Sequence, residues 1–104
     1  MAEGLDVQTT AEFDAWFVRL KDERAVAAIR ARMLRLRHGN FGDAKSVGDG
    51  VSELRVDLGP GYRVYYTRIG LVIVVLLVGG DKRSQVRDIT AARQLADRVR
   101  GDYR

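Results

Sequence analysis

The stretch Gly59-Pro60-Gly61-Tyr62-Arg63-Val64-Tyr65-Tyr66 sets an arginine among tyrosines directly after a turn-forming tripeptide. Arginine suits a phosphate ligand, because its planar guanidinium stays ionised and offers parallel N–H donors to a pair of oxygens. Arg55 precedes this stretch, and Lys82, Arg83 and Arg87 follow the last apolar run. If Leu54 and Val56 face the same side as Val64 and Tyr66 on a neighbouring strand, then Arg55, Arg63 and Tyr65 share the opposite side. A face that joins cations to an aromatic ring fits phosphate positioning with base stacking. Arg55, Arg63, Tyr65 and Lys82 are therefore the catalytic candidates, and Lys45, Arg83 and Arg87 the candidates for RNA contact.

Cleavage of RNA needs no metal when the 2′-hydroxyl of the substrate is the nucleophile. The protein then has to align the backbone, stabilise charge on the phosphate and move protons. Arg55 and Arg63 fit the second task. Proton transfer falls to Tyr65, whose phenol has an ordinary pKa near ~10 and needs neighbouring cations, or to Lys82. With no cysteine and a single histidine, the usual zinc spacings cannot be written, so no metal and no cofactor is expected. His38 reads as a residue of a last helical turn, set against the dipole. Gly79-Gly80-Asp81-Lys82 lacks the rest of a phosphate-loop motif. Arg55, flanked by Glu53 and Asp57, also fits a charge ladder on a solvated strand, and Tyr62 and Tyr66 also fit core packing.

These residues must be positioned by a small domain. The 104 residues, 46% hydrophobic and 31% charged, predict one globular unit over 1–104. Thr9 and Glu12 are spaced as a capping box ahead of Phe13, Trp16, Phe17 and Leu20, a helical stripe. Asp22 can cap a second helix whose stripe is Val26, Ile29, Met33 and Leu36, with Arg24, Arg32 and Arg35 turned away and Gly39 closing it. Residues 38–51, rich in glycine, asparagine and aspartate, read as a loop. Val51–Leu58 and Tyr62–Ile69 alternate as two strands of a hairpin, and Leu71–Val78 reads as a strand buried on both faces and ended by Gly79-Gly80. Asp88 can cap a last helix with the stripe Ile89, Ala92, Leu95, Ala96 and Val99, closed by Gly101. The expected fold class is α+β: a helical hairpin packed on a small antiparallel sheet, with a C-terminal helix.

The N-terminus shows neither a basic region nor an apolar stretch of a signal peptide, and the longest apolar run is too short to span a bilayer, so a cytoplasmic protein without membrane contact is expected. The formal charge of +4 arises wholly in the second half: residues 1–50 hold eight acidic and eight basic side chains, residues 51–104 six and ten. Such a surplus favours a polyanionic partner.

The segments FGDAKSVGDGVSELRVDLGPGYRVYY and LLVGGDKRSQVRDITAA together resemble the RelE/ParE toxin superfamily of bacterial toxin–antitoxin modules, closest to the HigB-like addiction-module killer branch. The resemblance implies two helices on an antiparallel sheet of three or four strands, and an N-terminal strand near Gly4–Gln8 is compatible with it. It further implies a ribosome-dependent mRNA endoribonuclease that inhibits translation without metal, using a basic sheet face. ParE-type members of the same fold, which inhibit DNA gyrase without being enzymes, supply the alternative. Either kind is held by a cognate antitoxin, expected to be a helix-turn-helix protein encoded adjacent. By the resemblance Arg63 matches the arginine of the family's Gly-Tyr-Arg motif and Arg55 a basic strand residue of the catalytic face. Glu53 stands where a second basic residue is usual, and Arg87 lies near the position of a catalytic tyrosine.

Overall fold

A computed structural model of the chain describes residues 4–103. The elements run β1 (Asp6–Thr9), α1 (Ala11–Val18), α2 (Glu23–Arg37), β2 (Ala44–Gly48), β3 (Val51–Val56), β4 (Tyr62–Ile69), β5 (Ile73–Gly80), a 3-10 turn (Lys82–Ser84) and α3 (Gln85–Asp102). The five strands form one sheet in the order β1-β5-β4-β3-β2, with β1 parallel to β5 and the other pairs antiparallel. The α+β class and the C-terminal helix are as the sequence predicts.

The interior place of β5 in the sheet explains its composition. Flanked by β1 and β4, it has a covering layer on each face, and Val74, Val75, Leu76 and Leu77 are all buried. On one face, Phe13 of α1 and Ile29 and Leu36 of α2 pack against Leu54, Val64 and Leu76. On the other, Ala92, Ala96 and Val99 of α3 lie on Val51, Tyr65 and Leu77. The small alanines let α3 approach the strands closely.

Several boundaries differ from the sequence reading for local reasons. The cap of α1 is Thr10, not Thr9: its hydroxyl accepts from the Phe13 amide at 2.9 Å and donates to the Leu77 carbonyl at 2.6 Å. One residue thus both caps the helix and ties it to β5, while Thr9 ends β1. Asp22 caps α2 as expected, accepting from the Arg24 and Ala25 amides. The expected loop contains β2, paired with β3 through a tight turn in which Asp49 and Gly50 both have positive φ. Alternation is hard to see in so short an edge strand. The β3–β4 turn closes with Gly61 N–H donating to Leu58 at 3.1 Å, and Gly59 and Gly61 both take positive φ.

Gly79 and Gly80 do not end β5; they belong to it. A Cβ on Gly79 would lie 2.3 Å from the Trp16 ring, and one on Gly80 would lie 1.8 Å from Asp88 Oδ2. Side chains are excluded there because an indole from α1 and a carboxylate from α3 sit directly on the strand's two faces. Asp88 is accordingly not the cap of α3 but a buried residue of its first turn. The cap function passes to Asp81, which accepts from the Arg83 and Ser84 amides at the 3-10 turn. Gly101 lies within α3. No helix among the described residues is long and apolar enough to cross a membrane.

Overpacking at such a site typically costs about 1–3 kcal/mol. Gly79→Ala is therefore expected to lower the free energy of unfolding by that amount in urea titration, with α1 shifted off β5; an unchanged midpoint and slope would show that Trp16 does not rest on this strand.

Candidate functional site

The β3–β4 register sets Arg55 directly opposite Arg63, two like charges on one face of the hairpin. Such a pair is unfavourable alone. Each arginine is balanced by a different carboxylate. Arg55 donates Nη2 and Nε to Asp43 Oδ1, at 2.9 and 3.2 Å. Arg63 Nε lies 3.6 Å from Glu53 Oε2, an ion pair without a hydrogen bond. The two pairs differ in setting: the Arg55 side chain is 38% exposed and Asp43 55%, whereas Arg63 is 13% and Glu53 only 1%.

Glu53 is thus a buried carboxylate, and it lies under the start of α3. Its Oε2 accepts from Gln85 Nε2 at 2.7 Å and from the Tyr65 hydroxyl at 3.5 Å, while Oε1 is buried without a partner. Removing one member of a buried ion pair commonly costs about 3–5 kcal/mol, because the partner charge stays desolvated. Arg63 is therefore part of the folded framework, not a cation freely displayed on an open strand.

Arg55, Arg63 and Lys82 come together. With Asp43, Asp57 and Gly61 they line one depression of about 370 Å³ at the end of the β3–β4 hairpin. Lys82 reaches it from the 3-10 turn and forms no ion pair among the described residues. The remaining candidates lie elsewhere. Tyr65 is fully buried beneath α3, which covers the half of the face that the strand alternation alone leaves open. Burial raises its phenol well above the ordinary value, the Glu53 and Asp88 charges adding to the rise. A neutral, enclosed phenol cannot serve the depression as an acid, so the expectation for Tyr65 is corrected. Lys45 is exposed on β2 opposite Glu53 and does not line the depression. Arg83 and Arg87 line a separate cavity beyond the 3-10 turn.

Sequence reasoning missed three contributors. Arg32, expected to face away from the core, points inward: it donates Nη1 to the Arg55 carbonyl at 2.6 Å and Nη2 to the carbonyls of Phe41 and Asp43. This clamp holds the Asp43 segment against β3, and desolvation lowers the guanidinium pKa from its ordinary value. Asp43 and Asp57, read as loop and ladder charges, both belong to the depression. Nothing in periodicity signals Arg32, because the carbonyls that it serves lie on β3 and on the segment before β2, distant in sequence and brought to it by the fold.

The molecule is thus an α+β domain whose hairpin end carries a depression of mixed charge with three convergent cations. No family model matches the sequence. The chain is 52% identical over 95 residues to an uncharacterized protein of Haemophilus influenzae, spanning 91% of this chain and 96% of that one. It belongs to the same family as that protein.

The raised Tyr65 pKa has a signed consequence. The unfolded phenol ionises near pH ~10 and the buried one does not, so the unfolded state binds fewer protons above that pH and stability is lost as pH rises. Each such tyrosine contributes about 1.4 kcal/mol per pH unit. Tyr65→Phe is expected to flatten the fall in unfolding free energy between about pH 10 and 11 by about 1 kcal/mol, less than the full slope because the unfolded phenol is only partly ionised there; an unchanged slope would mean that Tyr65 is not enclosed.

Proposed function

We propose that this chain is a RelE/ParE-type toxin acting as a ribosome-dependent mRNA endoribonuclease without metal, held by an adjacent helix-turn-helix antitoxin. One observation carries the reading: Arg55, Arg63 and Lys82, separated in sequence, line a single depression. A phosphodiester placed there meets two guanidinium groups whose positions are set by Asp43 and Glu53 before substrate arrives. Preorganised charge of this kind stabilises a pentavalent phosphorane-like transition state without reorganisation.

The proton steps balance within the same residues. Asp57, exposed at the rim and without an ion pair among the described residues, takes the proton of the 2′-hydroxyl. The 2′-oxygen attacks the adjacent phosphorus, the bond from phosphorus to the 5′-oxygen breaks, and the Lys82 ammonium protonates the departing oxygen. The products are a 2′,3′-cyclic phosphate and a 5′-hydroxyl. Tyr65 has no part in this scheme.

The enclosure of Tyr65 also favours a second reading, in which the basic surface binds without cutting, as in ParE-type inhibition of gyrase. The two separate on one pair of measurements. In a ribosome-dependent cleavage assay, Lys82→Ala is expected to reduce cutting by about 10²–10³ while unfolding free energy stays within about 0.5 kcal/mol of the parent, since the side chain is exposed. Full cleavage by a stable Lys82→Ala removes this lysine from the chemistry, and absence of cleavage by the parent chain together with inhibition of gyrase supercoiling establishes the second reading.

A further inference from the structure

A larger cavity, about 630 Å³, opens at the end of β5. Lys82 of the 3-10 turn lines the depression, whereas Arg83 and Ser84 of the same turn line this cavity. Its volume falls within the roughly 300–1,000 Å³ usual for sites that bind small molecules. Three chemistries meet on its walls. Trp16 and Tyr62 present aromatic rings, centroids 6.5 Å apart and inclined at 64°. Arg83 and Arg87 are exposed at the rim. Asp88 is buried: its side chain is only 10% exposed, and its Oδ2 accepts from Ser84 Oγ at 2.5 Å. Asp88 Oδ1 accepts no hydrogen bond among the described residues, and the nearest cation, Arg87 Nε, is 3.8 Å away.

These walls constrain the ligand. A purely anionic molecule, such as free phosphate or an acidic peptide, would satisfy the arginines but be repelled by Asp88. An apolar molecule would leave both arginines and the carboxylate unserved. A ligand with a planar ring, an anionic group at one end and N–H donors at the other satisfies all three, and a nucleotide has that form. Guanine is the base whose pairing edge carries two adjacent N–H donors, N1–H and N2–H, matched to a carboxylate. Adenine and cytosine place a ring acceptor beside their single amino group, and uracil places its one N–H between two carbonyls.

We propose that this cavity binds a guanine nucleotide of single-stranded RNA, with the base edge on Asp88, the ring against Trp16 or Tyr62 and adjoining phosphates on Arg83 and Arg87. The proposal rests on the reading of the depression as an RNA site, and it makes the cavity a specificity subsite one step along the strand. Base recognition through the pairing edge with aromatic stacking is the usual mode for single-stranded RNA.

Trp16 is the single tryptophan, so its fluorescence reports occupancy directly. The probes are 2′-O-methylated ApGpA and ApApA, which lack a nucleophilic hydroxyl, and 5′-GMP. The full chain is expected to bind ApGpA about tenfold more tightly than ApApA, in line with the discrimination from a two-bond base contact. Asp88→Asn should erase the preference. Arg83→Ala, at an exposed position without an ion pair among the described residues, should weaken both trinucleotides several-fold. Arg87→Ala, which also removes the cation 3.8 Å from Asp88, should do the same in a chain whose thermal unfolding shows it folded. Equal affinity for the two trinucleotides, or unaltered binding in the arginine variants, overturns the proposal, as does 5′-GMP binding as tightly as ApGpA, which marks a free-nucleotide site. Guanine preference in a chain that proves unable to cut mRNA contradicts the proposed reaction and leaves this subsite standing, while mRNA cutting without guanine preference overturns the subsite alone.

Discussion

The organisation of the molecule turns on one buried charge, the Glu53 carboxylate. It sits in the middle of β3 at a position with no exposed surface, where an unpaired anion would cost several kcal/mol. Three neighbours on two elements answer that cost: Tyr65 directly across the hairpin and Arg63 diagonally from it, both on β4, and Gln85 from the first residue of α3. The carboxylate therefore links the sheet to the helix that covers it and to the depression beside it. Polar tethers further along α3 work in the same direction, with Arg93 donating to the Val47 carbonyl and Arg98 holding Glu12 of α1 through paired contacts at 2.9 and 3.0 Å.

A cation anchored in this way differs from one on a flexible surface chain. The Nε of Arg63 is buried 3.6 Å from Glu53 Oε2 while the residue lines the depression, so the charge is anchored by the fold. Arg55 is set by Asp43, and Asp43 by the carbonyl clamp of Arg32. Both guanidinium groups are thus fixed through partners that themselves touch no substrate in the proposed scheme. That supporting layer is what lets two like charges stand opposite one another across a hairpin.

Much of this was legible in the sequence, and the failures have physical causes. Alternation in Leu54, Val56, Val64 and Tyr66 sorts the hairpin into two faces and sets Arg55 beside Arg63. Of the three cations after β5 that the sequence offers to the same region, the 3-10 turn brings only Lys82 to them, Arg83 and Arg87 lining the other cavity. What alternation cannot say is how much of the second face another element covers. The stripe of α3 is visible in the sequence, but its destination is not: alternation leaves Tyr65 open, whereas Ala92 and Ala96 bring the helix down over it. By the resemblance Glu53 departs from a basic pattern, and alternation sets it on the strand's polar side, which normally looks to solvent; here it looks at α3. The glycine pair at 79–80 reads as a terminator in the sequence, because the close contacts from Trp16 and Asp88 leave no local trace.

The central claim is that Glu53 fixes Arg63, and a double-mutant cycle on unfolding free energy tests it most directly. Glu53→Gln, Arg63→Gln and the double variant, compared with the parent in urea, should give a coupling of about 1 kcal/mol or more, within the range found for residues sharing one charged network. A coupling indistinguishable from zero, with both single variants folded, would contradict the claim and leave Arg63 positioned by packing alone.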